Sequence, residues 1–315
     1  MLKTPKFWQK LTIISLILLP ITAIYWLIST ILQSTKTPKK TQKKTICIGN
    51  ITAGGAGKTP LAIKIGQILQ KNNIKFAYLS RGYSRKNKNF LKVNPKQHTQ
   101  HHVGDEPLLL SEISTSYVFK DRAVDLKKIP EKNIVLDDGM QDFRFKKDLN
   151  ILVIDGTIGF GNNLLIPSGP KRQTLNNAKK FIDFAVIIGD DHKKIAQKIP
   201  NIPVFFAKII SKNKPSGNYL AFCGIANPSK FFTSLAKNNT ILKEQISFPD
   251  HYSYQNNDLD LIIKKAKKQN LKIITTKKDW IKFPKSYQNQ IDYLDIDLVI
   301  DNESEFEKLI LKTFK

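Results

Sequence analysis

The segment Ile46-Cys-Ile-Gly-Asn-Ile-Thr-Ala-Gly-Gly-Ala-Gly-Lys-Thr-Pro60 constrains the fold of this 315-residue chain more than any other. An apolar strand runs into a glycine-rich turn, and the turn opens onto the amphipathic stretch LAIKIGQILQK. Gly54, Gly55 and Gly57 let backbone N–H groups converge on an anion without Cβ clashes. The positive end of the following helix reinforces the site. In a nucleotide-binding loop of this kind, Lys58 reaches the β/γ-phosphates and Thr59 ligates Mg²⁺. The expected phosphate cradle is Thr52, Ala53, Gly54, Gly55, Ala56, Gly57, Lys58 and Thr59. Pro60 suits the first helical turn, where its missing N–H costs nothing. One spacing departs from strict G-x-x-x-x-G-K-[ST]: Thr52 stands where the first glycine is required.

Around this loop, short apolar runs alternate with helical stretches. Strands are predicted at 45–48, 76–79, 117–119, 134–136, 151–154 and 184–188, with helices after Lys58, after Glu106 and around 176–181. Strands apolar throughout and separated by helical spacing predict an α/β fold, a P-loop NTPase-like parallel sheet covered on both faces. Its ligand belongs at the carboxyl ends of the strands. Residues 36–202 form this first domain. Residues 203–219 mix a short extended run with Lys, Pro and Gly and read as an inter-domain β-ribbon or linker. Residues 220–315 read as a smaller α/β domain with strands at 220–223, 272–275 and 297–300 and a last helix at 304–314.

Acidic residues fall at strand and helix ends. Asn133-Ile-Val-Leu-Asp-Asp-Gly139 is an apolar strand ending in two carboxylates, the pattern that holds Mg²⁺ beside a phosphate-loop threonine. Asp137 and Asp138 are adjacent, so in an extended strand only one faces the metal. Asp105 and Glu106 precede a helix, where acids cap and complement the dipole. His251, in Phe248-Pro-Asp-His-Tyr-Ser-Tyr254, sits in a turn. His98, His101 and His102 have no accompanying Cys or HExxH pattern and read as a loop. Thr276-Lys-Lys-Asp279 matches the T/N-K-x-D pattern that reads guanine, which keeps a GTPase-type switch open as one use of the nucleotide-binding loop.

The charge is uneven. The chain carries 51 Lys+Arg against 26 Asp+Glu, a net +25, and no acid occurs before Asp105. So basic a chain raises nucleic acid as a partner, yet only five of its basic residues are the arginines that give bidentate contacts. Nucleic acid is therefore not expected, and nothing marks an obligate protein partner. Much of the basic excess flanks residues 11–35, which carry no charge. As one helix, the apolar part (11–32) is about 33 Å long, enough to cross a hydrocarbon core of about 30 Å. Residues 1–35 are thus expected to form a membrane-anchoring helix that spans the bilayer or lies in its interface. More lysines follow the segment than precede it, which favours the later residues on the cytoplasmic side. They also favour contact with anionic lipid. Cys47 and Cys223 lie in apolar runs and read as buried thiols.

Taken in order, GNITAGGAGKTP (49–60), SRGYSR (80–85), VGDEP (103–107), LDDGMQD (136–142), LLIPSGPKR (164–172), AFCGIANPSKF (221–231), FPDHYSY (248–254) and TTKKD (275–279) resemble the tetraacyldisaccharide 4′-kinases, the lipid A 4′-kinases of Gram-negative inner membranes. The resemblance implies ATP- and Mg²⁺-dependent phosphorylation of the 4′-hydroxyl of a tetraacyldisaccharide 1-phosphate at the cytoplasmic membrane face. It implies that Asp105 assists deprotonation of that hydroxyl with support from His251, that Lys58 is catalytic, and that Thr59 and Asp138 serve the metal. Asp142 and Tyr252 stand where the family often has histidine. Lys171-Arg172-Gln173-Thr174 replaces the usual Leu-Arg-Glu-Pro, so the acid there is absent.

Overall fold

The computed structural model describes residues 5–83, 85–237 and 240–314; Lys3 of the basic flank and Ser84 of SRGYSR lie outside them. Thirteen strands are found among the described residues, and the first eight begin the larger lobe. They are β1 (Lys44–Gly49), β2 (Phe76–Ser80), β3 (Leu91–Lys92), β4 (Ser116–Val118), β5 (Asn133–Asp137), β6 (Leu149–Asp155), β7 (Phe184–Ile188) and β8 (Val204–Ser211). The smaller lobe holds β9 (Gly217–Cys223), β10 (Thr240–Ser247), β11 (Lys272–Thr276) and β12 (Asp292–Leu294), and β13 (Ile296–Ile300) is last. One nine-stranded sheet runs β13-β8-β7-β6-β1-β5-β2-β4-β3, and a four-stranded sheet runs β10-β9-β11-β12. The small sheet is wholly parallel. The large one is parallel except at its two edges, β13 on β8 and β3 on β4.

The apolar strands are buried on both faces, which is why their sequences do not alternate. Ile46, Ile48, Val135 and Val153 pack with Leu61, Ile65 and Leu69 of helix α3 (Lys58–Lys71) on one side. Cys47, Ile134, Leu136 and Ile154 enter a second cluster on the other side. The loop after β1 emerges at the carboxyl end of the sheet between its parallel neighbours β5 and β6, where the chain after β1 crosses towards β2 and the chain after β6 turns the other way to β7. That is the crevice in which open α/β sheets take ligands.

Two expectations are corrected. The last strand and helix, read from the sequence as part of the smaller unit, return to the larger lobe. β13 pairs antiparallel with β8, and Phe306 and Ile310 of the Glu303–Phe314 helix join the core around Phe184 and Phe205. Residues 208–211 of β8 pair with β13 beyond the end of β7, making a two-stranded ribbon towards the smaller lobe. The N-terminal segment is not one long helix. It breaks at Leu18 into α1 (Ile13–Ile17) and α2 (Leu19–Ser34), with Pro20 in the first turn of α2. Proline lacks the N–H needed to continue the first helix. At 1.5 Å per residue α2 is about 24 Å long, and no described helix is long and apolar enough to cross a membrane.

One flank of this helical pair is tied to the 162–172 loop. Thr22 Oγ1 bonds Ser168 Oγ at 2.7 Å, Tyr25 Oη donates to the Arg172 carbonyl at 2.7 Å, and Trp8 Nε1 donates to the Pro167 carbonyl at 2.9 Å. The other flank leaves Ile13, Ile17, Ile24, Leu27, Ile28 and Leu32 more than half exposed.

Candidate active site

The glycine loop is held in shape by backbone conformation and by its neighbours. Gly57 has φ +89°, a left-handed value that suits glycine, and a Cβ there would come within 2.6 Å of Ile188 Cδ1. Ala53 N donates to the Pro170 carbonyl at 2.8 Å, and Thr52 N donates to Asn50 Oδ1 at 2.9 Å. No side chain caps the N-terminus of α3. The first-turn amides thus face the loop, as an anion site requires.

Three acids converge on the start of α3. Glu106 Oε1 accepts from Thr59 Oγ1 at 3.3 Å. Asp137 is fully buried at the end of β5; its Oδ2 accepts from Ser80 Oγ at 3.3 Å, while its Oδ1 has no hydrogen-bond partner. Burial first, then the Glu106 charge, push the Asp137 carboxyl above the usual range, and Lys58 only partly offsets them. Asp138 follows at φ +56°, with its N–H on the Ile48 carbonyl and its own carbonyl held by Arg122 Nη2 at 2.8 Å. Its carboxylate pairs with Lys58 at 3.5 Å and Arg172 at 3.3 Å. Burial alone would raise this carboxyl, but Lys58 and Arg172 outweigh it and hold it below the usual carboxylate range.

Asp105 begins the Asp105–Ser111 helix after Gly104, whose φ of +90° and close approach to Tyr83 leave no room for a Cβ. The Asp105 carboxylate is 4% exposed and meets His251 Nδ1 at 2.8 and 2.9 Å across the lobe boundary. Lys278 Nζ lies 3.4 Å from Asp105 and 3.3 Å from Glu106, and Lys282 Nζ lies 3.9 Å from Asp105. Burial would raise the Asp105 carboxyl; Lys278, His251 and Lys282 together hold it far below the ordinary range. Two residues 146 positions apart, Asp105 and His251, thus share one hydrogen bond.

Sequence reasoning passed over Lys278, Lys282, Arg122 and Arg172 as site residues. Lys278 and Arg172 lay inside quoted motifs, but their partners are distant in sequence. Gln173, in place of the acid, is buried with both side-chain polar atoms unpartnered. Asp142 pairs with Arg144 at 2.7 Å and approaches Arg122 at 3.8 Å. The guanine-reading interpretation of Asp279 loses its basis, since that carboxylate is fully buried. It accepts from Gly224 N at 2.9 Å and Thr276 Oγ1 at 2.8 Å and pairs with Lys282 at 2.8 Å. Of the three histidines at 98–102, His98 and His102 serve local bonds, accepting from the backbone of Asn94 and Thr99, while His101 Nε2 meets Ser253 Oγ of the smaller lobe at 3.2 Å. Among the described residues no group of three or more His, Cys, Asp or Glu is arranged to hold a metal by itself.

This is a two-lobed α/β protein built around a glycine-rich strand–loop–helix, with acids from the neighbouring strands beside the loop and a histidine brought in by the second lobe. The profile of the tetraacyldisaccharide-1-P 4′-kinase family matches residues 14–315, and the chain belongs to that family. It is 36% identical over 319 residues to the tetraacyldisaccharide 4′-kinase of Rickettsia akari, covering 98% of this chain and 96% of that one. The corresponding enzyme of Rickettsia canadensis is 35% identical over 319 residues, with the same shares. The fold superposes on LpxK from Aquifex aeolicus, whose structure is described as an "apo" form in complex with ATP. The TM-score is 0.79 at 24% identity, covering 96% of this chain and all of that one.

Proposed function

We propose that this chain transfers the γ-phosphoryl group of ATP to the 4′-hydroxyl of a tetraacyldisaccharide 1-phosphate; its relatives are named tetraacyldisaccharide 4′-kinases and its family is that of the tetraacyldisaccharide-1-P 4′-kinases. The observation that carries the mechanism is the Asp105–His251 pair at 2.8 Å beside the Lys58–Thr59 loop. An Asp105 oxygen accepts the proton as the hydroxyl oxygen bonds to phosphorus. The bond between that phosphorus and the β–γ bridging oxygen breaks, and ADP leaves. The neighbouring cations keep the buried carboxylate ionised, at a cost in basicity, and His251 orients it towards the hydroxyl. Lys58 and the amides of 54–59 hold the phosphates, the amides of Thr52 and Ala53 being taken by Asn50 and Pro170, and Arg172, paired with Asp138, adds positive charge. His251 belongs to the smaller lobe, so closing the lobes assembles the site and excludes water.

The residues fit a magnesium ion. The buried Asp137 Oδ1 lacks a partner, and it shares its surroundings with the Glu106 charge. Thr59 with the strand-end acids Asp137 and Asp138 would hold the ion. Asp137 offers the free oxygen, and Asp138 is engaged by Lys58 and Arg172 until nucleotide phosphates draw those cations away. When bound, the ion neutralises charge on the β- and γ-oxygens.

Residues 36–202, completed by 296–314, act as the P-loop kinase domain, and 203–219 carry the chain through the ribbon to the smaller one. The exposed face of α1 and α2 lies in the cytoplasmic leaflet of the inner membrane, with Lys36, Lys39 and Lys40 meeting anionic headgroups. The acceptor's acyl chains stay in that leaflet while its headgroup reaches Asp105. The test is turnover of the purified chain with Mg²⁺, ATP or GTP, and a tetraacyldisaccharide 1-phosphate. A product one phosphate heavier, formed with ATP and carrying the new group at the 4′ position, is expected. Its absence with an ATP-competent protein would overturn the reading.

A further inference from the structure

Asp105 meets three groups from the smaller lobe, and they are not equivalent. Lys282 is 1% exposed and anchored at home, 2.8 Å from Asp279 and 3.3 Å from the Tyr252 carbonyl, so its 3.9 Å approach to Asp105 is secondary. Lys278 is different. It stands on the short Lys277–Trp280 helix after β11, and both of its ion-pair partners, Asp105 at 3.4 Å and Glu106 at 3.3 Å, belong to the larger lobe. Its neighbour Lys277 also crosses the boundary, to Glu112 at 2.9 Å. Lys278 is thus the cation that the adjacent Asp105 and Glu106 carboxylates share. Burial works against the Lys278 ammonium, yet Asp105 and Glu106 outweigh it and raise its pKa.

We propose that Lys278 is a positioning residue of the phosphoryl-transfer site: its ammonium, reaching in from the smaller lobe, pins the Asp105 carboxylate beside His251. This rests on Asp105 accepting the proton, as proposed above. The group is one hydrogen-bonding distance from the acceptor rather than on the reacting atoms. It acts through Asp105, and displacing a reacting group by about 1 Å costs up to about 10²-fold in rate.

The experiment uses the full chain carrying Lys278→Cys, before and after alkylation with 2-bromoethylamine. That reagent rebuilds an ammonium at nearly the lysine length, while Cys47 and Cys223 are buried and wild-type protein treated alike is the control. The unmodified variant is expected to lose about 30- to 100-fold in kcat, the scale of a reacting group displaced by about 1 Å, with the Kd for ATP within about twofold of wild type. Aminoethylation is expected to restore kcat to within about fivefold. In an Asp105→Asn background, Lys278→Cys is expected to cost less than about threefold, since residues acting as a unit are not additive. Lys278→Met against Lys278→Arg gives the same decision if the cysteine variant does not fold. A kcat within threefold of wild type for Lys278→Cys, a loss that aminoethylation leaves in place, or an equal loss in the Asp105→Asn background each overturns the proposal. Near-wild-type kcat for Asp105→Asn alone overturns the base assignment itself, and so the two failures are told apart.

Discussion

Substituting alanine for Gly57 separates two reasons for a glycine at the mouth of the loop, backbone conformation and space. At φ +89° an alanine sits in left-handed territory, which costs roughly 1–2 kcal/mol. Its Cβ would also lie 2.6 Å from Cδ1 of Ile188, a side chain only 4% exposed. Only the far end of that side chain must move, so this adds about 1 kcal/mol, the low end of overpacking costs. The sum is about 2–3 kcal/mol, and it falls on the residue that opens α3. Two measurements read it: thermal unfolding of the free protein and calorimetric titration with ATP. Both the Tm and the ATP affinity are expected to fall, the affinity by about tenfold or more, since each tenfold is about 1.4 kcal/mol.

Ile188→Val divides the cost. Alone it removes a buried methyl and destabilises by about 0.5–1.5 kcal/mol. In the Gly57→Ala background it removes the clashing atom, so the same change is expected to be neutral or stabilising. The two sites touch, and such coupling is what contact predicts. The double variant still carries the left-handed alanine and should stay about 1–2 kcal/mol below wild type. Wild-type Tm and ATP affinity in Gly57→Ala would refute the claim that the loop needs glycine here. Complete recovery in the double variant would assign the whole cost to space and remove the backbone half of the reasoning.

Two further outcomes follow from the N-terminal helices. Ile24→Asp with Leu27→Asp places two carboxylates on the exposed apolar face; burying each of the native side chains in lipid is worth about 1.5–3 kcal/mol. Co-sedimentation with vesicles containing anionic lipid is expected to weaken by at least about 10²-fold while the Tm of the free protein holds; unchanged sedimentation would remove the face from the membrane. Thr22→Val keeps the shape but deletes the bond to Ser168. Leaving that buried hydroxyl unpartnered costs about 1–3 kcal/mol, read as a lower Tm. A Tm unchanged by the substitution would mean the segment is held to the 162–172 loop by other contacts alone.

The places where sequence reasoning stopped share a physical cause. β1, β2, β5, β6 and β7 were legible because an apolar run flanked by helical spacing needs no partner to be recognised, and each was expected within a few residues of where it lies. The strand at 296–300 was also legible, with Leu298 and Ile300 buried on alternate positions. Its sheet was not: a half-buried edge strand fits either sheet, and the choice is made by pairing with β8, 85 or more positions away. Phe306 then settles against Phe184 and Phe205, with ring centres 5.7 and 5.4 Å apart. The N-terminus misled for the same reason in reverse. Hydropathy measures how much apolar surface a segment carries, whereas the break at Leu18 and the bonds of Thr22 and Tyr25 decide which side of it meets protein. At the site, Lys58 and Thr59 announce themselves through the glycines beside them. Asp105 and His251 are each an ordinary cap or turn residue until the fold brings them within 2.8 Å. Motif order identified them by resemblance; Lys278, whose meaning lies wholly in the two carboxylates of the opposite lobe, could be assigned a role only from their positions in space.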